Sequence, residues 1–185
     1  LAASSATLDE ILKYSVQDLA RLFTADTGAV FLMDEERGLL RLNTPSMYGV
    51  PQETGDTFIE IFLNDPQYRH TVSGSKRPYV TGHMSTDRRI LPAYRPLATA
   101  LLMESAMVVP LVVRDRSVGE LMLGSKKPDH FTGSDLQAVS TAAGQLAAAV
   151  ESAELILQTD EALRQRVEQL TVITRVNKEL VSSFD

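Results

Sequence analysis

The spacing of apolar residues predicts a helix at the start of the chain, followed by two paired strands. From Leu8 to Phe23, apolar residues recur three and four positions apart, which is typical of a helix with one buried stripe. Thr7 and Glu10 have the spacing of a capping box at its start. Two short apolar runs, 28–33 and 39–42, then flank a polar turn that contains glycine, and this pattern predicts a hairpin.

The middle of the chain is interrupted by proline. Six of the eight prolines lie between residues 44 and 96, so we expect loops and short elements there. The elements predicted within this part are short helices near 57–63 and 67–75, a strand at 78–81 and a helix near 93–103.

A second hairpin is the strongest strand signal. Two apolar segments, 107–113 and 118–123, are separated by four polar residues. Pro110 has no backbone donor, so we expect its strand to be at an edge or bulged at that point. Thr132 is the predicted N-cap of a last helix that continues to the end of the chain.

This last helix carries a heptad pattern of apolar residues. At 1.5 Å per residue, about 50 helical residues would extend about 75 Å, farther than a domain of this size. We predict that the helix pairs with its twin in a parallel coiled coil, through a seam weakened by Asp160, Thr174 and Asn177. The alternative is an amphipathic helix that packs on parts of the protein outside this sequence. The predicted seam comprises Leu146, Ala149, Ala153, Ile156, Leu163, Val167 and Leu170.

Composition narrows the classes of function. With 185 residues and 44% apolar content, the chain can form one domain of about 150 residues and an appendage. A net charge of -6 and scattered basic residues argue against a nucleic-acid partner. The chain has no cysteine, which excludes disulfides, thiolate metal sites and cysteine nucleophiles.

The sequence also predicts no membrane-spanning segment and no leader segment. No apolar run approaches the roughly 20 residues of a membrane span, so we expect a cytoplasmic protein that does not contact a membrane. The chain begins at Leu1 and ends at Asp185 within a helical pattern, and we therefore expect it to be part of a longer polypeptide.

A set of short motifs occurs in a specific order and spacing along the chain: 27–32, 77–80, 85–87, 105–111, 119–123, 131–132, 135–136 and 145–147. Together these motifs resemble the GAF domain family. The resemblance spans about residues 7–155. It implies an α+β fold, also similar to PAS domains, in which a six-stranded antiparallel sheet is flanked by helices. The terminal helices would pack on one face of the sheet, and the variable middle segment would cover the other.

The resemblance also implies a role and a domain organisation. Residues 1–155 would form a GAF sensor domain, and residues 156–185 a coiled-coil signalling helix that leads to a further domain in the same chain. We expect a homodimer, formed through the N- and C-terminal helices, that binds a small molecule and regulates an output such as a histidine kinase of a two-component system. The alternative is a structural dimerisation spacer with no ligand.

We do not expect an enzyme. The bilin-binding and free methionine sulfoxide reductase members of the family need a cysteine, which this chain lacks. The sequence also suggests no catalytic residues, and it names no cofactor. The three histidines have no metal-binding spacing, so we expect no metal site.

Candidate ligand-binding residues come from the middle segment, where the resemblance places the pocket. Its aromatic and methionine side chains suit a flat apolar ligand such as a purine, a haem or a tetrapyrrole, although core packing explains them too. His83 is a candidate axial haem ligand or an ordinary loop histidine. Arg88 is a candidate for binding an anion or a member of a solvated charge cluster. The full set is Phe58, Phe62, Tyr79, His83, Met84, Arg88, Tyr94, Met103 and Met107.

Overall fold

The computed structural model describes residues 7–51, 53, 60–88 and 94–182, and from residue 169 onward it describes the backbone alone. The chain divides into two compact units, Leu1–Ala149 and Val150–Asp185. The assignment of a sensor role to residues 1–155 and a signalling role to residues 156–185 stays a prediction.

The described residues form a mixed sequence of helices and strands. The α-helices are α1 (Leu8–Leu22), α2 (Val72–Ser75), α3 (Arg95–Ala100) and α4 (Gly133–Ser182), and Tyr68–His70 is a 3-10 turn. The strands are β1 (Thr27–Asp34), β2 (Leu39–Tyr48), β3 (Glu60–Phe62), β4 (Tyr79–Thr81), β5 (Ser105–Val113) and β6 (Arg116–Ser125).

The strands form one antiparallel sheet with the order β3-β2-β1-β6-β5-β4. This confirms the six-stranded sheet and the α+β class that the resemblance implies. β1 and β6 lie at the centre, where Val30 is opposite Leu121 and Phe31 is opposite Glu120. Because directly opposed residues of an antiparallel pair share a face, these two pairs belong to opposite faces of the sheet.

One face of the sheet, which we call the helix face, packs against α1. A Cβ atom on Gly28 would be 2.8 Å from Val16 Cγ1 of α1 and 3.1 Å from Leu123 Cδ2 of β6. Glycine therefore allows α1 to approach the centre of the sheet closely. Val30, Leu121 and Leu123 lie on this face, and each is 0% exposed.

The other face, which we call the cover face, packs against residues 68–76, 82–88 and 94–103, which we call the cover. Its apolar cluster joins the strand residues Ala29, Phe31, Val108 and Met122 to cover residues such as Val72, Met84, Leu97, Ala98, Leu101 and Met103. Two buried layers therefore enclose the sheet, one on each face.

The prediction of a helix near 57–63 is wrong for its described part. Glu60–Phe62 is strand β3, in which Ile61 is opposite Leu40 of β2 and packs on the cover-face cluster. Pairing with the exposed edge of β2 satisfies the backbone of this short segment, and the edge was not visible in the local pattern. Residues 57–59 lie outside the described part of the chain.

The predicted helix at 67–75 is broken in two. Thr71 has extended backbone angles (φ -67°, ψ 165°), and its hydroxyl accepts a hydrogen bond from the Gly74 amide at 2.9 Å. Thr71 thus begins α2 as a new N-cap and ends the 3-10 turn before it. This break sets the direction in which the backbone N–H groups of the first turn of α2 point.

Two finer predictions are confirmed. Thr7 and Glu10 form a reciprocal capping box at the start of α1. Pro110 lies beyond the three β5 residues that pair with β4, and a register shift follows between Leu111 and Val112. Among the described residues, β5 therefore has no pairing partner on its β4 side at Pro110.

Helix α4 begins after Thr132, whose hydroxyl accepts a hydrogen bond from the Asp135 amide at 3.3 Å. The prediction that Leu146 lies in an intermolecular seam needs correction, because Leu146 is only 6% exposed in its own chain. It belongs to a buried stripe at spacings of four and three residues, made of Val139, Ala143, Leu146 and Val150.

The other predicted seam residues differ in exposure. Ala149 and Ala153 are partly buried, whereas Ile156 and Leu163 are each 62% exposed and Val167 is 55% exposed. The side chain of Leu170 lies outside the described part. The coiled coil stays a prediction. None of the described helices is long and apolar enough to span a membrane.

Candidate functional site

A carboxyl group is buried at the centre of the cover face. Glu120 is 0% exposed, and it shares this face with its neighbours in the alternation of β6, Val118 and Met122. Phe31 of β1 is directly opposite. The sheet therefore places an acid where strand periodicity calls for an apolar side chain.

Two donors from the cover converge on this carboxyl group. The Tyr94 hydroxyl donates to Glu120 Oε1 at 2.6 Å, and the Ser73 backbone amide donates to Oε2 at 2.8 Å. The Val72 amide in turn donates to the Tyr94 hydroxyl at 3.1 Å. These amides belong to the first turn of α2, whose N–H groups have no partners within the helix.

Burial changes the acidity of the group. It raises the pKa of Glu120, and the hydrogen bonds from Tyr94 and Ser73 only partly oppose this effect. Burial and the charge of Glu120 together hold the pKa of Tyr94 well above its usual range, and they also raise the pKa of Tyr68. Within the described residues, no lysine, arginine or histidine forms an ion pair with Glu120.

A buried hydroxyl group accompanies the carboxyl group. Ser73 is 1% exposed. Its hydroxyl is near enough to Glu120 to help lower that carboxyl's pKa, yet it makes no hydrogen bond of acceptable geometry within the described part of the chain. An unsatisfied buried hydroxyl is uncommon in folded proteins, and it marks a place where a polar partner would be stabilised.

A cavity of about 150 Å³ adjoins this network. The Tyr94 side chain lines the cavity, and its hydroxyl is hydrogen-bonded to Glu120, so Tyr94 links the two. Tyr79 lines the same cavity and donates its hydroxyl to Asp87 Oδ2 at 2.9 Å. The full lining comprises His70, Val72, Ser75, Arg77, Pro78, Tyr79 and Tyr94.

A second cavity, of about 360 Å³, lies elsewhere in the cover. Met84 and Met103 are both buried and both contribute to its wall. Its other lining residues are Ser85, Arg95, Ala98, Thr99, Leu102 and Glu104. This cavity is larger, but none of its lining residues is hydrogen-bonded to Glu120.

The α2 segment is tied to the sheet at a further point. Lys76 ends α2 in the left-handed region (φ 54°), and its Nζ atom donates to the carboxylate of Asp115 at 2.9 Å and to the Asp115 carbonyl. Asp115 lies in the turn between β5 and β6. Both side chains are solvent-exposed, so the pair contributes little to stability but fixes where α2 ends.

The structure separates the sequence-predicted ligand residues into groups. Tyr79 and Tyr94 meet at the first cavity, and Met84 and Met103 at the second. His83 is 56% exposed at its side chain, and its Nδ1 is 3.4 Å from Asp129 Oδ1. A ligand of an enclosed haem would be buried, so His83 is left out of the candidate site.

Three other predicted residues that the structure describes contribute nothing to the two cavities. Phe62 is 52% exposed and opposite Leu39, and Arg88 is exposed. Met107 is opposite Leu123 and therefore lies on the helix face. Phe58 lies outside the described residues. Strand register decides the positions of Phe62 and Met107, since a shift of one position moves a side chain to the other face.

Glu120 and Ser73 are the site residues that the sequence analysis missed. A signal for Glu120 was present, because it is the only charged residue in the apolar run 118–123. Ser73 gave no such signal. Across the described part of the chain, no group of three histidine, aspartate or glutamate residues is placed to hold a metal ion.

Comparison with known families settles the classification. A sequence model described as GAF domain matches residues 5–151. The chain belongs to the GAF domain family. A search among curated proteins for relatives of this GAF domain returned no match.

Solved structures share the fold of this GAF domain at low identity. The GAF domain of an Acinetobacter phosphoenolpyruvate-protein phosphotransferase is 19% identical, with a TM-score of 0.67 over 84% of this chain and 89% of that one. A domain of a putative two-component sensor histidine kinase from Sinorhizobium meliloti is 17% identical, with a TM-score of 0.64 over 87% and 99%.

An enzyme is also among the solved structures similar to this GAF domain. Free methionine-R-sulfoxide reductase from Neisseria meningitidis is 19% identical, with a TM-score of 0.64 over 83% of this chain and 84% of that one. Because these identities are low, the likenesses establish the fold and not a shared activity.

Proposed function

We propose that this chain is the sensory GAF domain of a multidomain, cytoplasmic bacterial signalling protein, and that it binds a small molecule under the cover. The observation that carries the proposal is the fully buried Glu120 carboxyl, held by two donors from the cover, one of which, Tyr94, also lines a cavity. Sensing requires that a ligand bind one arrangement of the protein better than another. The Glu120 carboxyl belongs to the sheet and is hydrogen-bonded to the cover, so a ligand that altered these hydrogen bonds would favour one arrangement of the cover over another.

Packing alone gives no reason for this arrangement. A buried carboxyl group without a counter-ion costs free energy that an apolar residue at the same position would not. Buried titratable groups with shifted pKa values beside a cavity are typical of binding and catalytic sites. Glu120 therefore supports a ligand-binding role for the cover face.

Relatives favour regulation over catalysis. The similar structures include a domain of a sensor histidine kinase and the GAF domain of a phosphotransferase. The reductases among them are enzymes of a kind that needs a cysteine, as the resemblance implies, and this chain has none. We therefore propose a binding module and not an enzyme.

Transmission would use the second half of α4. Ile156 and Leu163 occupy successive d positions of the heptad pattern and are largely exposed, which supports pairing with the same helix of a second copy. Leu146 has no part in this pairing, because its own subunit buries it.

A structural spacer without a ligand is the second candidate. The specific observation in its favour is that the apolar cluster fills much of the cover face and leaves a first cavity of only about 150 Å³. In that case the domain would serve only to dimerise the protein.

Ligand binding is tested with the complete 185-residue chain. Native mass spectrometry of freshly purified protein should reveal a copurified small molecule, and a metabolite panel should raise the thermal midpoint with at least one compound. A bare mass together with no thermal shift across the panel would favour the spacer.

Dimerisation is tested separately by sedimentation. Ile156→Asp with Leu163→Asp should give monomers, because two charges then lie in the apolar seam. The control is Leu155→Asp with Ala162→Asp, which adds the same charges seven residues apart on exposed positions outside the seam and should leave the dimer intact. A dimer that survives the seam substitutions would contradict the proposed pairing.

A further inference from the structure

The first cavity has an apolar inner part and a polar rim. Val72 and Tyr94, which are 2% and 3% exposed, line it from within the protein. His70, Arg77 and Pro78 also line it, and all three are exposed, so they lie where the cavity meets solvent. A ligand in this cavity therefore places its apolar part inward and its polar part at the rim.

The rim carries one permanent positive charge. Within the described part of the chain, the guanidinium group of Arg77 forms no ion pair and donates no hydrogen bond. The neighbouring cation, Lys76, is already bound to Asp115. None of the described residues that line the cavity is an aspartate or a glutamate. Arg77 therefore favours a ligand with a negative charge at the rim.

The backbone on both sides of Arg77 is held in place. Lys76 has a left-handed conformation (φ 54°), and its side chain is fixed on Asp115. Pro78 restricts the residue before it to extended conformations. The Arg77 amide also donates to the Ser75 hydroxyl at 3.3 Å. The point from which the guanidinium group reaches the rim is thus set before a ligand binds, which lowers the entropic cost of binding.

His70 supplies a second donor at the rim. Arg69 Nε donates to His70 Nε2 at 3.1 Å. A neutral imidazole that accepts at Nε2 carries its proton on Nδ1, so the Nδ1–H group is a donor. The hydrogen bond from Arg69 polarises the ring and strengthens this donor. Both polar side chains of the rim therefore suit an acceptor that carries negative charge.

Two carboxyl groups outside the cavity limit the charge of the ligand. The hydroxyl of Tyr79 donates to Asp87, and that of Tyr94 donates to Glu120, whereas the rings of both tyrosines line the cavity. Negative charge on Asp87 or Glu120 repels an anion in the cavity, and it repels a dianion more strongly than a monoanion. One guanidinium group therefore matches a ligand with a single negative charge.

We propose that the first cavity binds a small monocarboxylate, whose carboxylate group is held at the rim by Arg77 and His70. The hydrocarbon part of the ligand lies deeper, against Val72 and the rings of Tyr79 and Tyr94. The guanidinium group can donate two parallel hydrogen bonds to a carboxylate. This inference rests on the proposed function and names the chemical class of the ligand.

The size of the cavity limits the ligand. A volume of about 150 Å³ is similar to that of an engineered protein cavity that takes up benzene, so the cavity holds about six non-hydrogen atoms. A purine or a tetrapyrrole exceeds this limit. The inference thus points to short-chain carboxylic acids and not to the large flat ligands expected from the sequence.

Tyr94 connects the ligand to the rest of the cover. Its ring lines the cavity, its hydroxyl donates to Glu120, and the residue immediately precedes α3. A hydrocarbon chain that packs against this ring restrains the ring, and with it the start of α3. The cavity is therefore placed where its occupancy can alter the cover.

The experiment titrates the complete 185-residue chain at pH 7.5 and constant ionic strength with butyrate, 1-butanol and butylammonium. These probes share one hydrocarbon chain and differ in charge. Protein NMR shifts measure each affinity, and the amide signals of Val72, Ser75 and Tyr79 should shift because these residues line the cavity. We expect butyrate to bind about fivefold more tightly than 1-butanol, since an ion pair at an exposed rim contributes about this much, and butylammonium to bind most weakly.

One variant and a matched control locate the charge. Arg77→Gln should remove the advantage of butyrate over 1-butanol and leave the affinity for 1-butanol unchanged. Arg21→Gln removes the same charge from α1, which packs on the other face of the sheet, and should preserve the advantage. Both arginines are exposed, so neither substitution should disturb folding. Equal binding of butyrate and 1-butanol, or an advantage that survives Arg77→Gln, would overturn the inference.

Failure of the inference and failure of the proposed function are distinguishable. If 1-butanol or butylammonium binds as tightly as butyrate and shifts the same amide signals, the carboxylate inference is wrong and the sensor proposal stands. If no probe binds, the inference is also wrong, but the sensor proposal is contradicted only when the metabolite panel fails as well.

Discussion

The two faces of the sheet differ in how far apolar packing accounts for them. On the helix face, Leu121 and Leu123 are fully buried hydrocarbon side chains under α1. On the cover face, the neighbouring residue Glu120 is equally buried, and Tyr94 and Ser73 bring further polar groups to it. A core that serves stability alone does not need these groups. Under the proposed function, this difference assigns stability to one face and recognition to the other.

The largest expected effect comes from comparing glutamine at two adjacent positions of β6, residue 121 on the helix face and residue 120 on the cover face. Leu121→Gln should lower the free energy of unfolding by more than about 4 kcal/mol, because it removes leucine packing and buries an unpaired amide. Glu120→Gln should leave it unchanged or raise it by about 1 kcal/mol. In that variant the amide oxygen can still accept from the Ser73 amide, the amide NH2 group can donate to the Tyr94 hydroxyl oxygen, and no buried charge remains.

Urea denaturation of both variants measures these effects, and circular dichroism confirms that each is folded before the titration. Equal losses at the two positions would show that the cover face is as dependent on its native side chain as the helix face. The division of roles between the faces would then be wrong.

A smaller effect separates two buried serines. The Ser46 hydroxyl accepts from the Val30 amide at 2.9 Å and donates to the Asn43 carbonyl at 2.7 Å, so Ser46→Ala should cost about 1–3 kcal/mol of unfolding free energy. Ser73→Ala should cost less than Ser46→Ala, because its hydroxyl makes no hydrogen bond of acceptable geometry within the described residues and only helps to stabilise the Glu120 carboxylate. Thermal denaturation of the pair measures the contrast. A large loss in Ser73→Ala would mean that this hydroxyl supports the fold.

The smallest effect is a pH dependence of stability. The pKa of Glu120 is raised in the folded protein, so the folded state binds the proton more tightly than the unfolded state. Stability from this group is therefore present at low pH and decreases, by at most about 1.4 kcal/mol per pH unit, as pH rises above the ordinary carboxyl pKa. The loss ends above the folded pKa.

Glu120→Gln is the matched control for this pH series. Asp26 and Asp135 have lowered pKa values, so their contribution changes in the opposite direction and is lost as pH falls. Both aspartates remain in the control. The difference between the two proteins, measured by urea denaturation at each pH, isolates Glu120, and a difference that does not vary with pH would mean that its pKa is not raised.

Much of the fold was predictable because it depends on local pattern. The two apolar segments 107–113 and 118–123, separated by four polar residues, and the capping box at Thr7 are properties of neighbouring residues, and each predicted the right element. β3 was not predictable in this way. Its three residues form a strand only because the edge of β2 is available for pairing, which is a tertiary effect.

The site was less predictable than the fold. Aromatic content brought Tyr79 and Tyr94 into one candidate set, and both line the first cavity. Met107 was assigned to this set without a strand register, which puts it on the other face. Ser73 depends on the break at Thr71 and on the position of α2 over β6, and neither can be derived from local spacing.

The position of Glu120 in the strand order has a mechanical consequence. β6 is flanked by β1 and β5, so hydrogen bonds on both sides resist any displacement of the backbone that carries the carboxyl group. Its two donors come instead from a four-residue helix and from the residue before a six-residue helix, which are far more compliant. If the carboxyl group exchanged one hydrogen-bond partner for another, the sheet backbone would keep its position. The deformation would be taken up by α2 and by the residue before α3.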